Sequence, residues 1–168
     1  MLIPIVNEKD RIIGYKERSL IDKQKDIYRV SALWIVNEYE EVLLSQRSLK
    51  KKSQPGRWGP AVAGTVDKGE TYRRNIIKEA REEIGIIIKN PKFYKKNMFR
   101  SENSNYFSTH YTAKIKRSTG FILEKNGVKA VKWIDKKSLL RWIADSPQDF
   151  VPSMPRHIQL IKDIHYSN

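Results

Sequence analysis

The first half of the chain alternates short apolar stretches with segments rich in turn-forming residues. Residues 3–6 and 11–15 are largely apolar and flank a turn at 7–10, where Asn and Asp favour a reversal of the chain, so they predict a β-hairpin. The longer and more apolar stretches at 30–36 and 42–46 predict central strands that are buried on both faces of a sheet. Later strands are predicted at residues 86–88, 93–100, 106–115 and 130–134.

Two aperiodic segments predict loops before the pattern becomes helical. Residues 47–59 contain Ser, Lys, Gln, Pro and Gly without a period, and residues 64–69 predict a tighter loop. The segment from 70 to 84 predicts a helix that ends at Gly85. Its apolar positions lie on one side of a 3.6-residue period: Ile76, Ile77, Ala80 and Ile84.

The order of the elements predicts an α/β protein. Residues 138–144 and 156–164 have helical patterns, and they follow strands rather than forming a separate helical region. We find no internal repeat, low-complexity segment or linker that divides the chain. We therefore expect one domain over residues 1–168.

The amino-acid composition limits the classes of binding partner and of catalytic chemistry that this protein can have. Hydrophobic residues make up 39% of the 168 positions, enough for a packed core, and 33 Lys and Arg against 19 Asp and Glu give a net charge of +14. That charge favours anionic partners, which include nucleic acids, nucleotides, other phosphorylated metabolites and anionic membrane surfaces. Because the sequence has no cysteine, it has no disulfide, no thiolate zinc site and no cysteine nucleophile.

The chain shows neither a membrane-spanning stretch nor an export signal. Its longest apolar runs are far shorter than the roughly 20 residues that a membrane helix requires. The beginning of the sequence has no basic region followed by an extended apolar stretch and a small-residue cleavage site. We therefore expect a cytoplasmic protein.

Three carboxylates in the predicted helix indicate a metal site. Glu79, Glu82 and Glu83 stand at spacings i, i+3 and i+4, which place them on one face beside the apolar stripe. Clustered carboxylates suit hard cations such as Mg²⁺ or Mn²⁺. Taken alone, the same pattern also describes a solvated acidic face that neighbouring cations neutralise, here Arg74, Lys78 and Arg81.

The surroundings of these carboxylates resemble the Nudix box, over residues 64–86. The positions in register with that pattern are Gly64, Glu70, Glu79, Ala80, Glu82, Glu83, Gly85 and Ile86. So many matches at fixed offsets make the signal specific. The one clear departure is Lys78, where the family has arginine. Lysine keeps the positive charge but lacks the planar fork with which arginine orients a glutamate.

The resemblance implies a fold, a reaction and roles for individual residues. The Nudix fold is an α/β/α sandwich around a mixed β-sheet, and its members hydrolyse diphosphate bonds with Mg²⁺ or Mn²⁺. It implies that Glu79 and Glu83 bind metal directly, that Glu82 is a further ligand or acts through water, and that the Gly64 carbonyl is a ligand. Glu70 is expected to support the ligands from behind.

Beyond the box, the chain resembles the isopentenyl-diphosphate-isomerase-like branch of the Nudix proteins. The segments that carry this likeness are residues 6–14, 43–48, 55–58, Trp133 and 150–152. The likeness implies that Arg47 and Lys51 lie near the phosphates of a substrate. Isomerisation itself is disfavoured, because the isomerase uses a cysteine after the tryptophan that corresponds to Trp58, and this chain has none.

Several alternatives stay open from the sequence. The general base is Glu79 or a later residue, with Glu102 and Glu124 as candidates. The substrate is a nucleoside diphosphate derivative, a nucleotide-linked alcohol or the 5′ end of an RNA. The charge of +14 and the aromatics Trp58, Phe99, Tyr106 and Tyr111 also suggest a nucleic-acid-binding protein on a Nudix scaffold. We expect weak, non-specific nucleic-acid binding beside an enzymatic activity, with His110 a packed or surface side chain rather than a metal ligand.

Overall fold

A computed structural model describes residues 1–166, in which nine strands form one mixed sheet. The strands are β1 (Leu2–Val6), β2 (Ile12–Glu17), β3 (Ile27–Val36), β4 (Glu41–Arg47), β5 (Trp58–Pro60), β6 (Val62–Thr65), β7 (Lys92–Ser101), β8 (Ser104–Lys114) and β9 (Val128–Asp135). The helices are α1 (Tyr72–Ile84), α2 (Lys136–Asp145) and α3 (Ile158–Asp163), and short 3₁₀ turns cover Arg18–Leu20, Pro147–Asp149 and Met154–His157.

Strand β3 organises the sheet. It pairs in parallel with β8 along its whole length, from Ile27 to Val36, while β6 pairs antiparallel with its other edge. Strand β4 pairs with β3 only at Val36 and Val42 and then diverges, pairing instead with β5 and β9. Strands β3 and β4 therefore separate from each other within the sheet, and residues of both strands line the cavity described below.

Alternating side chains of β3 build a core on each face of the sheet. Leu33 and Ile35 lie in one apolar cluster, Trp34 and Val36 lie in the other, and all four are fully buried. Helix α1 contributes to the first cluster, and α2 and α3 contribute to the second. This two-sided burial explains why the second half of β3, residues 32–36, is continuously apolar, and it confirms the predicted α/β/α architecture.

Helix α1 begins at Tyr72, two residues after the predicted start at residue 70, and ends at Ile84 as predicted. The Thr71 hydroxyl caps the first turn by accepting a hydrogen bond from the Arg74 N–H at 3.2 Å. Gly85 ends the helix in the left-handed conformation, at φ 72°, which costs glycine little. The predicted helix at 156–164 is a 3₁₀ turn that continues into α3.

Three predicted segments need correction. Strands β5 and β6 occupy parts of the segments 47–59 and 64–69 that we expected to be loops, because strands of three and four residues are too short to show a period. The predicted strand at 86–88 is not one in the described chain. Ile86 and Ile88 are buried and Ile87 is exposed, as in a strand, but the Ile86 N–H donates to the Ala80 carbonyl of α1 at 3.2 Å.

The turn of the predicted hairpin is anchored to three other elements through Asp10. Its carboxylate accepts hydrogen bonds from Arg29 Nε at 2.7 Å, Lys96 Nζ at 2.8 Å and the Tyr72 hydroxyl at 3.1 Å. The Asp10 side chain is only 7% exposed. Burial alone would raise the pKa of Asp10, but the hydrogen bonds from Lys96 and Arg29 outweigh it and hold the pKa below its ordinary value.

We expect Asp10→Asn to lower the free energy of unfolding by about 2–4 kcal/mol, because it leaves Arg29 and Lys96 without the buried carboxylate that they share. Asparagine tolerates the left-handed backbone at this position, φ 57°, so the change tests the charge rather than the turn. Urea denaturation measures the loss. Because the folded-state pKa of Asp10 is lowered, its contribution is present above its unfolded pKa and disappears as pH falls through the folded one. The free energies of unfolding of the variant and the wild type should therefore become equal at acid pH. A difference between them that does not change with pH would contradict the assignment of the effect to the Asp10 charge.

Candidate active site

The end of β6 and the helix α1 hold two of the predicted metal ligands against each other. The Glu79 side chain lies directly over Gly64, so that a β-carbon at position 64 would fall 2.5 Å from Glu79 Cδ and 2.8 Å from Oε1. These separations are shorter than van der Waals contact. Gly64 is therefore required for the space it leaves rather than for an unusual backbone conformation, since its φ is not positive.

Glu83 lies one helical turn beyond Glu79 and also points to β6. Burial and the charge of Glu79 raise the pKa of Glu83 to about 7, although Lys51, the Ala63 N–H and Arg47 stabilise the carboxylate. Burial also raises the pKa of Glu79, and Lys78 only partly offsets the neighbouring negative charges. The neighbouring cations therefore neutralise the negative charge of these two carboxylates only in part.

Lys78 is the centre of an ionic network behind Glu79. Its Nζ lies 3.0 Å from Asp67 Oδ2, 2.9 Å from Glu70 Oε1 and 3.7 Å from Glu79 Oε1. Burial would raise the pKa of Glu70, but hydrogen bonds from Lys78 and Asn75 lower it. Glu70 therefore shares Lys78 and Asn75 with Glu79, and the supporting role that the resemblance implies for it stays a prediction.

Asn75 and Asp67 were not singled out in the sequence. Asn75 is fully buried, and its Nδ2 donates to the Thr65 carbonyl at 3.0 Å and to Glu70 Oε2 at 2.9 Å, with Glu79 Oε1 at 3.4 Å. A polar residue beside the apolar stripe, one turn before Glu79, is the signal that could have identified Asn75. Asp67 has no such periodic signal, because it lies in the loop before α1.

We expect Lys78→Arg to preserve or raise kcat, because arginine can also reach several carboxylates and adds paired hydrogen bonds to a glutamate. Lys78→Met should lower kcat, since it leaves Asp67, Glu70 and Glu79 without their shared cation. Steady-state rates of diphosphate hydrolysis for both variants measure the effect. A large loss in Lys78→Arg would mean that this site is arranged differently from that of the family.

The side chains at this site are of the chemical type that binds hard divalent cations. Within residues 1–166, no group of three or more Asp, Glu or His side chains is placed to hold a metal ion together. Mg²⁺ often binds through one or two carboxylates and keeps several waters. Glu79 and Glu83 offer such a pair beside Gly64, and Asp67 Oδ1 is buried without a hydrogen-bond partner in the described chain, which adds to the excess negative charge. Glu82 is exposed, so contact through water suits it better than direct binding.

A cavity of about 170 Å³ opens beside Glu83. Arg47 lines it and is held in place by hydrogen bonds from its Nε and Nη2 to the Ser53 carbonyl, at 3.0 and 2.9 Å. Lys51 does not line the cavity, but its charge acts on Glu83. The remaining wall has apolar and aromatic parts, formed by Val30, Ala32, Val128, Val151, Phe99 and Tyr106. It also includes polar side chains and a second cation, Arg156, whose guanidinium lies 4.4 Å from the centre of the Phe99 ring.

Two histidines meet in the wall of the same cavity. The rings of His110, on β8, and His157, before α3, lie 4.5 Å apart, and the Trp34 indole N–H donates to His110 Nδ1 at 3.2 Å. Burial lowers the pKa of His110 to about 4 and that of His157 to about 3. His110 is packed, as expected, but no pattern in the sequence indicates that it lines a cavity.

The other candidates from the sequence are dispersed. Glu124 lies close to the site, where its backbone N–H donates to the Glu83 carbonyl at 3.0 Å, whereas Glu102 lies in the exposed turn between β7 and β8. Phe99 and Tyr106 stack on each other at 4.8 Å in the cavity wall, and Tyr111 is buried in the core. Trp58 is half-buried and packs against the Trp142 ring at 5.9 Å.

The helix-flanked mixed sheet, with a carboxylate-bearing helix beside a cavity, defines a Nudix-type α/β/α enzyme. The chain belongs to the NUDIX domain family, whose model matches residues 26–154. This confirms the family and the class of enzyme, a Nudix pyrophosphohydrolase, that the sequence predicts. No helix within residues 1–166 is long and apolar enough to cross a membrane.

Individual relatives agree with this assignment. A prenyl-diphosphate phosphatase of Methanosarcina mazei is 26% identical over 91% of this chain and 90% of its own length. An isopentenyl-diphosphate Delta-isomerase of Salmonella heidelberg is 26% identical over 90% of this chain and 87% of its own. The solved structure of DR0079 from Deinococcus radiodurans superposes with a TM-score of 0.75 at 22% identity, covering 96% of this chain and 98% of that one, and shows the shared fold.

Proposed function

We propose that this protein is a Mg²⁺- or Mn²⁺-dependent pyrophosphohydrolase that cleaves the diphosphate bond of a nucleoside diphosphate derivative or a related substituted diphosphate. The observation that carries the proposal is the pair of carboxylates: Glu79 lies over Gly64, and Glu83 lines a cavity that Arg47 also lines. A bound divalent cation supplies neutralisation of the phosphate oxygens and a water of lowered pKa. Glu79, Glu83 and the Gly64 carbonyl would hold it.

The remaining residues of the site orient these groups and bind the substrate. Lys78 and Asn75 hold Glu79 from behind and limit the directions in which its carboxylate can turn. Arg47 presents a cation whose position is fixed by Ser53, and Lys51 adds positive charge beside Glu83. Both cations would attract the phosphates of a substrate and offset their negative charge beside the carboxylates.

Hydrolysis fits the side chains of this site better than isomerisation does. The full sequence has no cysteine, and residues 58–64, which form β5 and β6, offer no acid–base side chain where the isomerase has one. The relatives named as a prenyl-diphosphate phosphatase and as isopentenyl-diphosphate isomerases share diphosphate chemistry, which supports a diphosphate substrate here. We assign the general base to Glu79 or to Glu124, because Glu124 is bonded through its backbone N–H to the Glu83 carbonyl, whereas Glu102 lies in the exposed turn between β7 and β8.

A screen of diphosphate compounds tests the proposal. The purified protein is incubated with nucleoside diphosphates, nucleotide-linked sugars and alcohols, and prenyl diphosphates, with Mg²⁺ or Mn²⁺, and release of phosphate or monophosphate is followed. We expect hydrolysis of at least one compound, and loss of the activity with EDTA. If no small diphosphate were hydrolysed while RNA stayed bound at physiological salt, the alternative of RNA 5′-end processing or plain RNA binding would replace this proposal.

A further inference from the structure

One arginine in the wall of the cavity has no acidic partner. The Arg156 guanidinium lies 4.4 Å from the centre of the Phe99 ring, and Phe99 stacks on Tyr106 at 4.8 Å. Among residues 1–166, no group accepts a hydrogen bond from this guanidinium and no carboxylate forms an ion pair with it. Arg156 is exposed to solvent, so an anion in the cavity can reach it. A guanidinium with free N–H donors is suited to bind a phosphate or a carboxylate.

Strand β7 adds a second cation at the same end of the cavity. Side chains alternate between the two faces of a strand, so Lys95 lies on the same face as Asn97 and Phe99, which line the cavity. Lys95 stands opposite His110 in the register, and burial together with the Lys95 charge lowers the pKa of His110 to about 4. Lys95 is exposed and forms no ion pair within the described chain. Arg156 and Lys95 thus place two positive charges beside β7, and no carboxylate neutralises either of them.

The cations on the other face of β7 are paired. Lys96 Nζ lies 2.8 Å from Asp10 Oδ2, and Arg100 forms an ion pair with Glu8. Both lie on the opposite face of the strand from Lys95. The excess positive charge of β7 is therefore on the face that lines the cavity. Excess charge of one sign in the wall of a cavity attracts ligands of the opposite sign.

This positive end of the cavity is separate from the carboxylates. The Ala63 N–H, on β6, stabilises Glu83, and the backbone of Lys95 lies three strands away, through Ala32 of β3 and His110 of β8. Three interstrand spacings of about 4.8 Å separate the backbones of Ala63 and Lys95 by about 14 Å. A ligand group bound at the positive end would therefore not be the diphosphate held beside Glu83.

We propose that Arg156 and Lys95 bind a second phosphate group of the substrate, remote from the diphosphate that is cleaved. This inference rests on the proposed function. A phosphate monoester carries a charge of about −1.5 to −2 at pH 7, which two cations offset, and its oxygens accept paired hydrogen bonds from a guanidinium. The preferred substrates are therefore diphosphates whose attached group carries a further phosphate. Arg156 and Lys95 are thus specificity-determining residues.

Two matched pairs of ligands test the proposal. Calorimetry in the presence of Mg²⁺ measures the affinities for the α,β-methylene analogues of ADP and adenosine 3′-phosphate 5′-diphosphate, and for those of hexyl diphosphate and 6-phosphohexyl diphosphate. The members of each pair differ only in the second phosphate. Arg156→Met and Lys95→Met each remove one cation, and Arg156→Lys keeps the charge. The control Arg141→Met removes the same charge from an exposed position on α2 that does not line the cavity, and thermal unfolding checks that every variant folds.

We expect the wild type to bind the member with the second phosphate about 10- to 100-fold more tightly in at least one pair, because hydrogen bonds to charged groups are the strong ones. Arg156→Met should reduce this preference by about tenfold. Lys95→Met should reduce it by a smaller factor, and Arg156→Lys should retain part of it. Arg141→Met should retain the whole preference.

Equal binding of both members of each pair by the wild type overturns the inference, and so does an unchanged preference in Arg156→Met or Lys95→Met. An equal loss in Arg141→Met also overturns it, because the preference would then reflect net charge alone. If the protein hydrolyses no diphosphate compound, the proposed function fails, and the calorimetry still decides whether Arg156 binds a second phosphate.

Discussion

Glu79→Gln and Glu83→Gln should each lower kcat by about 10²-fold or more while leaving the fold intact. Each change keeps the shape of the side chain and removes one negative charge from the pair beside Gly64, so that a divalent cation loses a ligand charge. Steady-state hydrolysis at saturating Mg²⁺ measures the loss, and circular dichroism checks the fold. If both variants turned over normally, the metal assignment would be wrong.

Companion variants separate the roles of the other glutamates. Glu82→Gln should lower kcat less than Glu79→Gln or Glu83→Gln does, because Glu82 is exposed. Glu102→Gln should be neutral, since Glu102 lies in the turn between β7 and β8. A loss in Glu102→Gln as large as that in Glu79→Gln would move the general base to that turn.

The same substitutions should raise the stability of the metal-free protein. The pKa of Glu83 is raised to about 7 in the fold, so the folded state binds a proton that the unfolded state has already lost as pH rises above the ordinary glutamate range. The stability of the wild type therefore falls as pH rises towards 7 and stays lower above it. In EDTA, Glu83→Gln should be more stable than wild type by about 1–3 kcal/mol at pH 8, with a smaller difference at pH 5.

Gly64→Ala should reduce kcat by about 10²-fold, through the geometry of Glu79 rather than through any charge. The added methyl would fall 2.5 Å from Glu79 Cδ and 2.8 Å from Oε1, so the carboxylate must leave its place between β6 and Asn75. Displacement of a catalytic group by about 1 Å is enough for a loss of this size. Turnover and Mg²⁺ affinity, followed by calorimetry, should fall together.

Gly14→Ala is the matched control for this change. Gly14 lies in β2, has no positive φ, and a β-carbon there would meet no atom within 4 Å. The kcat of Gly14→Ala should equal that of the wild type. Full activity in Gly64→Ala would show that the Glu79 carboxylate can change its orientation without loss of turnover. It would contradict the assignment of Gly64 and Glu79 as ligands of the same metal ion.

The helix and its glutamates were predictable because their signal is local. Capping by Thr71, the stop at Gly85 and the spacing of Glu79 and Glu83 all lie within a few turns of one helix, where periodicity fixes which side chains share a face. The same holds for the hairpin of β1 and β2, whose strands are joined by a short turn. The placement of Arg47 beside Glu83 was predictable only through the resemblance to the family.

Other features depend on contacts between distant parts of the chain. Asn75, Asp67 and Lys78 form one network only because the loop before α1 folds back on the helix, and β5 and β6 are strands only because β4 and β3 pair with them. The sequence by itself determined the family, the layered fold and the carboxylates of the site. Only the tertiary structure decided that Trp34 contacts both His110 and His157 and that the two histidines line one cavity, because the register of β3 with β8 and the path of the last helix bring together side chains that share no period in the sequence.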